Sequence, residues 1–284
     1  MRSAAIILSV RKIGRGIAVA SAIAFGCGAY MYLTLPDVRP LRTNNPRTTA
    51  FMELRAREAR ARGEQPRHLQ RWVPYARMSY HLKDAVRVAE DSLFWQHDGV
   101  DYQQLKESME VNLERREFAR GASTITQQLA KNLYLSPSKN PIRKLRELLI
   151  SRRLEAELTT QRIYEIYLNV IEWGDGIYGA EAAARRYFGK QAAELSAQES
   201  ALLASAIVNP RVLDPGRPSA RLRRRQQMIL RRMGWVEPPP VLADPLQAPV
   251  ELPGSSEVGP PTQLPGQVLP KPAKTPGPPG GRLP

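Results

Sequence analysis

The sequence predicts an all-α domain standing behind one transmembrane helix. Three observations predict it. A stretch of twenty residues near the N-terminus carries no charge, helical periodicity with capping signals dominates from Trp72 to Gly234, and no segment alternates apolar with polar residues while rich in β-branched types. The chain has 284 residues, with 3 histidines, 1 cysteine and a formal net charge of +15. A single cysteine excludes an internal disulfide framework and any multi-thiolate metal site. Cys27 lies inside the apolar run, where a thiol packs as a small hydrophobe. The excess of positive charge points to an anionic partner, either nucleic acid or the phosphates of a membrane surface.

The N-terminus chooses between these partners. Residues 16–35, "GIAVASAIAFGCGAYMYLTL", form the uncharged run. At ~1.5 Å per residue it spans ~30 Å, the thickness of a bilayer's hydrocarbon core. Residues 1–15 hold Arg2, Arg11, Lys12 and Arg15 and no acid, which keeps this end in the cytoplasm. The alternative is a cleaved signal peptide, but its small-residue pairs, Ala18–Ala20 and Ala20–Ala22, fall inside the apolar run rather than after it. Everything after Leu35 then lies outside the cytoplasm, which argues against nucleic acid.

The elements follow in order. Residues 36–50 read as an extended polar connector opened by Pro36, and residues 51–235 as one helical domain. "AFMELRAREARARG" is helix-prone, stops at Gly63, and its alternating Arg and Glu read as a solvated face. "HLKDAVRVAE" carries Leu82, Ala85, Val86 and Ala89 on one stripe. Thr124 with Gln127 forms a capping box, so a helix begins near Ile125. Pro141 opens the next helix, Thr160 caps "QRIYEIYLNVI", and "GDG" at 174–176 breaks it. Ser196 with Glu199 boxes "AQESALLASAIV", and Ser219 caps a last helix that stops at Gly234. Residues 236–284 hold fifteen of the chain's 25 prolines and are expected to stay disordered.

Three stretches could carry chemistry. In "EDSLFWQHDG", Glu90 ends a helix, where the dipole disfavours a carboxylate and so raises its pKa, as a general base needs. The same Glu90 could equally be the polar end of an amphipathic helix paired with an arginine. In "RGASTITQQLAKNL", Ser123 and Thr124 stand beside free N–H groups at a helix N-terminus, which suits a phosphate, and Gln127, Gln128 and Lys131 form a donor-rich ridge. An ordinary amphipathic helix fits that stretch as well. In "NPIRKLRELLISRRLE", Arg143, Lys144 and Arg146 crowd a helix N-terminus against its dipole, a local conflict that an anionic ligand would resolve. His68, His81 and His97 lack metal-ligand spacing, and "SPSK" lacks the partners of a serine acyl-enzyme.

Taken in order, "EDSLFWQHDG", "GASTITQQLAKN", "RKLRE", "IYEIYLN" at 163–169 and "GAEAAARRYFGK" at 179–190 resemble the five-motif signature of the peptidoglycan glycosyltransferases, glycosyltransferase family 51. An N-terminal anchor without a transpeptidase domain is similar to the family's monofunctional biosynthetic transglycosylases. The resemblance implies a lysozyme-like helical glycosyltransferase domain with a small membrane-associated jaw, placed at 113–120 around Phe118. It implies Glu90 and Glu147 as catalytic residues. It implies substrate contacts at Asp91, Phe94, His97, Ser123, Thr124, Gln127, Gln128, Lys131, Asn132, Arg143, Lys144 and Arg146. Ala122 departs from it, standing where a second glycine is frequent. The implied substrates are lipid II and the lipid-linked nascent glycan, in the bacterial inner membrane with the catalytic domain in the periplasm. No cofactor is firmly predicted, a divalent ion (Mg or Mn) at the pyrophosphate stays open, and so do wall-synthesis or division proteins as partners. A lysozyme-type muralytic hydrolase and a non-enzymatic anchored scaffold that binds anionic polymers are the rival readings.

Overall fold

The uncharged N-terminal run is helical. Helix α1 spans Arg2–Leu33, and Gly14–Leu33 within it is 20 residues of mean hydropathy 1.6, long and apolar enough to cross a membrane. The computed structural model describes residues 2–103, 106–108, 110, 123–138 and 140–235, with side chains from residue 14 onward. The expected jaw at 113–120, Ala122 and the proline-rich tail at 236–284 lie outside the described residues.

The connector differs from expectation. It is not extended: residues Arg39–Arg42 form a 3-10 turn, and Leu35, Val38 and Leu41 are buried in the main core. Three apolar side chains spaced between its charges give the segment one face to bury. Arg162 bolts it down, donating to the carbonyls of Leu41 at 2.9 Å and Asn44 at 3.0 Å. Helix α2, Ala50–Ala61, is capped by Thr49, whose hydroxyl accepts from Met52 N–H at 3.1 Å. Its face is not wholly solvated either, because Arg55 reaches the buried carboxylate of Glu172 at 3.1 Å.

The domain is built from α3 (Tyr80–Glu90), α4 (Ile125–Tyr134), α5 (Pro141–Glu157), α6 (Thr160–Val170), α7 (Ala180–Phe188), α8 (Ala197–Ala206) and α9 (Ala220–Arg232). Helix α3 packs on α8, which packs on α9, while α4 packs on α5 and α6. Leu82, Ala85 and Val86 of α3 are buried as expected, joined by Val88, and Ala89 packs partly against them. The Ser196–Glu199 box forms in both directions, and Ser219 accepts from Leu222 N–H. Two caps differ. Thr159 rather than Thr160 caps α6, one residue earlier, and Gln127 leaves the Thr124 box half made because its side chain accepts from Lys144 instead.

A small sheet also appears that periodicity does not reveal. Strands β1 (Leu69–Gln70), β2 (Glu172–Gly174) and β3 (Ile177–Tyr178) pair in the order β1-β3-β2, parallel then antiparallel. Strands of two or three residues are too short for an alternating pattern to register. The sheet clips the end of α6 to the segment before α3. Asn169 completes the clip, accepting from Val73 N–H at 2.9 Å and donating to Val73 O at 2.9 Å.

Beyond the sheet, Gly179 turns the chain into α7 with φ +81, and a Cβ there would meet the Asn169 carbonyl oxygen at 2.6 Å. Gly179→Ala therefore combines left-handed strain of about 1–2 kcal/mol with a backbone collision. It is expected to destabilise by more than about 2 kcal/mol, lowering the thermal midpoint by at least about 4 °C. An unchanged midpoint in differential scanning calorimetry would refute this account of the corner.

Candidate active site

Glu90 is the last residue of α3, and its side chain is half-buried rather than solvated. Burial pushes its carboxyl above the usual range, opposed by the hydrogen bond from Gln128 and by the charges of Arg225 and Lys131. The sequence pointed to the helix dipole as the cause, but desolvation is the larger effect. Gln128 Nε2 donates to Glu90 Oε2 at 2.9 Å, while the Tyr167 hydroxyl donates to Gln128 Oε1 at 3.0 Å. Tyr167, itself fully buried on α6, thus fixes which end of the amide faces Glu90.

The neighbour of Glu90 is used differently from the expectation. Asp91 is 2% exposed. Its Oδ2 accepts from Ile125 N–H, the first amide of α4, at 3.0 Å, and His97 Nε2 lies 2.9 Å from its Oδ1. Phe94 is fully buried against Tyr164 and Trp95. Thr124 is fully buried too, donating to Gly99 O at 2.7 Å. Asp91, Phe94, His97 and Thr124, at which the resemblance implied substrate contacts, thus form a clamp behind the cleft through these protein partners. Gly99 is held at φ +78, with Glu155 Cγ 2.9 Å from where a Cβ would stand.

The clamp aims α4 so that Gln128 and Lys131 lie on the Glu90 side. Lys131 is partly buried, which lowers its pKa, and it lies within electrostatic reach of both Glu147 and Glu90. On α5, Glu147 is 3% exposed and accepts from Arg143 through one oxygen and from Lys144 through the other. Lys144 Nζ also donates to Ser123 Oγ and Gln127 Oε1, each at 3.1 Å. Asn132 is buried and donates to Gln128 O at 2.8 Å. Ser123, Gln127, Gln128, Lys131, Asn132, Arg143, Lys144, Glu147 and Glu90 are thus one connected group. Arg146 is not part of it: its guanidinium turns to Thr34 at the end of α1, bonding Oγ1 at 3.1 Å and the carbonyl at 3.0 Å.

Beside this group opens a cavity of about 230 Å³, lined by Gln128, Lys131, Asn132 and Tyr167 together with Arg55 and Glu172. Sequence reasoning passed over the last three. "IYEIYLN" contains Tyr167, and a tyrosine on a helix's apolar face needs a partner for its hydroxyl, which is a usable signal. Arg55 and Glu172 stand 117 residues apart and leave no local sign of their pairing. Among the described residues no three His, Cys, Asp or Glu side chains gather to hold a metal. Both oxygens of Glu147 are already held by cations, so the side chains in place do not form a divalent-cation site.

The model of the Transglycosylase family matches residues 57–234. The chain belongs to the transglycosylase family. Its relatives include the biosynthetic peptidoglycan transglycosylase of Dechloromonas aromatica, 45% identical over 195 residues, 69% of this chain and 84% of that protein. The protein of that name from Nitrosomonas eutropha is 49% identical over 192 residues, 68% and 79% of the two chains. The one from Thiobacillus denitrificans is 43% identical over 231 residues, 81% and 97%. The matched span contains every member of the connected group and the clamp that aligns it.

The clamp has a pH signature. Asp91, with Asp101 and Glu155 behind it, raises the His97 pKa against the opposing effect of burial. A group whose folded pKa lies above its unfolded value of about 6.5 stabilises fully below that value and loses its contribution as pH rises through the folded one. In urea unfolding, the stability gap between wild type and His97→Gln is therefore expected to be larger at pH 5.5 than at pH 9. A gap that does not change with pH would remove the charged His97–Asp91 pair from the clamp.

Proposed function

We propose that the chain polymerises lipid II into β-1,4 glycan strands, releasing undecaprenyl pyrophosphate, with Glu90 as general base. What carries the reading is Lys131, which lines the cavity beside Gln128 and lies within electrostatic reach of both Glu90 and Glu147. The relatives' printed name, biosynthetic peptidoglycan transglycosylase, supports the same substrate class.

The chemistry follows from the charges. A sugar hydroxyl, here the 4-OH of the acceptor, is a poor nucleophile until its proton is removed. Glu90, desolvated and oriented by Gln128, accepts that proton as the oxygen attacks C1 of the donor. The α-linked pyrophosphate leaves from the opposite face, so a single displacement gives the β bond. Lys131, Arg143 and Lys144 stabilise the departing charge, and Glu147 holds the last two in place. Burial of Lys131 without a phosphate disfavours its charge, so an anion entering beside it relieves a penalty already present. Arg146 holds the anchor end instead. Helix α1, the one candidate span among the described residues, has its basic end in the cytoplasm and the domain in the periplasm of the inner membrane.

A hydrolase of lysozyme type needs a second carboxylate free to act as nucleophile or base. Glu147 is the other buried carboxylate of this group, and it is bound by two cations, which favours transfer over hydrolysis. The scaffold reading offers no reason to desolvate Glu90.

A lipid II polymerisation assay on the full chain tests the reading. Glu90→Gln is expected to lower the rate about 10²–10⁴-fold. Its stability should be unchanged or slightly higher, since the buried carboxylate is disfavoured in the folded state. Lys131→Met is expected to lower the rate at least about tenfold, one charge-assisted contact being worth about 1.5–3 kcal/mol. Fragments from finished glycan, with no polymer from lipid II, would overturn transfer, and full activity of Glu90→Gln would overturn the base.

A further inference from the structure

The anchor helix ends beside a second basic pocket that the proposed chemistry does not use. This cavity of about 480 Å³ is bounded by Tyr32, Leu35 and Leu149 on its apolar side and by Arg39, Arg152 and Arg153 on its charged side. Two carboxylates also line it, and both are already paired. Asp37 is held by Arg39, whose hydrogen bonds lower its pKa to about 2, and Glu157 is held from outside by Arg42.

Arg152 and Arg153 are placed by neutral partners instead. Arg153 donates through Nη1 to the carbonyls of Leu35 at 3.3 Å and Pro36 at 3.2 Å, and its guanidinium stands 5.3 Å from the Tyr32 ring centroid. Arg152 donates through Nη2 to the Tyr102 hydroxyl at 2.6 Å. Neutral partners orient each guanidinium without an ion pair, Asp37 acts on Arg153 only as a weaker charge beyond its own Arg39, and each guanidinium keeps further N–H donors. Among the described residues neither arginine is in an ion pair with a carboxylate.

Depth decides the ligand. Tyr32 belongs to the last turn of the apolar span, and Leu35 follows it directly, so the pocket lies where hydrocarbon gives way to headgroups. We propose that this pocket binds the phosphodiester of an anionic glycerophospholipid. Arg152 and Arg153 hold the phosphate, and Tyr32, Leu35 and Leu149 cover the first methylenes of its chains. The placement rests on reading α1 as the membrane span.

Native mass spectrometry of the detergent-solubilised full chain, offered equal dihexanoyl phosphatidylglycerol and dihexanoyl phosphatidylcholine, tests the pocket. Wild type is expected to retain one phosphatidylglycerol in clear preference. Arg152→Gln/Arg153→Gln should weaken that retention about thirty-fold, at about 1 kcal/mol per basic residue near a lipid surface. Arg152→Gln alone keeps the Arg153 bonds to the anchor and should weaken it about fivefold, which covers the case in which the double variant does not fold. The double lysine variant should retain most of the preference. Equal retention of the two lipids by wild type, or an undiminished preference in both glutamine variants, would overturn the proposal. Displacement by equimolar inorganic phosphate would reassign the site to free phosphate and overturn the lipid. Carbonate extraction of membranes tests the anchor separately: an extractable chain sinks the span, while the soluble short-chain lipids still decide the pocket.

Discussion

A single buried carboxylate joins the two helices on which the site depends. Asp91 follows the end of α3 and accepts from the first amide of α4, so two helix ends that share no sequence neighbourhood are fixed to each other. The arrangement is favourable because a negative charge at a helix N-terminus meets unpaired N–H groups and the positive end of the dipole. Thr124 adds a second stitch, from its hydroxyl to the Gly99 carbonyl. The consequence is geometric: Glu90, one residue before Asp91, must face Gln128, one turn into α4. Cutting the stitch would release Glu90, the proposed general base, from the residue that orients it.

The electrostatics of the site are organised by burial. Glu90 is shifted towards its neutral form and Lys131 towards its neutral form, each because solvent is excluded. Two such shifts in one small cleft are costly in the empty protein, and local penalties of this kind gather where function requires them. The Glu147 group shows a different solution: Arg143 and Lys144 each bind one of its oxygens. Only the carboxylate of this group is fully buried, and without its cations it would be a buried unpaired charge, which costs more than the loss of a surface pair. Glu147 is therefore as much a structural requirement of the cation group as a chemical one.

Much of this was legible in the sequence, and the failures have physical reasons. Caps at Ser196, Ser219 and Thr124 were readable because they act over three residues along the chain. Glu90 and the Arg143–Lys144 cations drew notice because their residue types conflict with their helix positions, and Lys131 because it extends a donor-rich ridge. The Arg55–Glu172 pair was not, since its partners are distant in sequence and each looks like a surface charge. That Asp91 caps α4 and Phe94 packs on Tyr164 was not legible, because a motif does not report which way a side chain points. The strands were missed because hydrogen bonds to a remote segment, not an apolar pattern, define them.

Arg146 shows how the anchor and the site are coupled. It sits one residue before Glu147, yet a step of about 100° around the helix sends it to Thr34 while Glu147 turns inward. Arg153, two turns further, grips the carbonyls of Leu35 and Pro36 from the same helix. Helix α5 therefore holds the cation group on one face and the end of α1 on the other, with Val38 and Leu41 buried just beyond. For a donor whose lipid tail stays in the bilayer, a flexible tether would let the cleft wander relative to the diphosphate. A helix fixed to both removes that freedom, which is how a bound geometry lowers the entropic part of a barrier. On the proposed topology, the height of the cleft above the membrane is thus set by two arginines that bond the residues following the anchor helix.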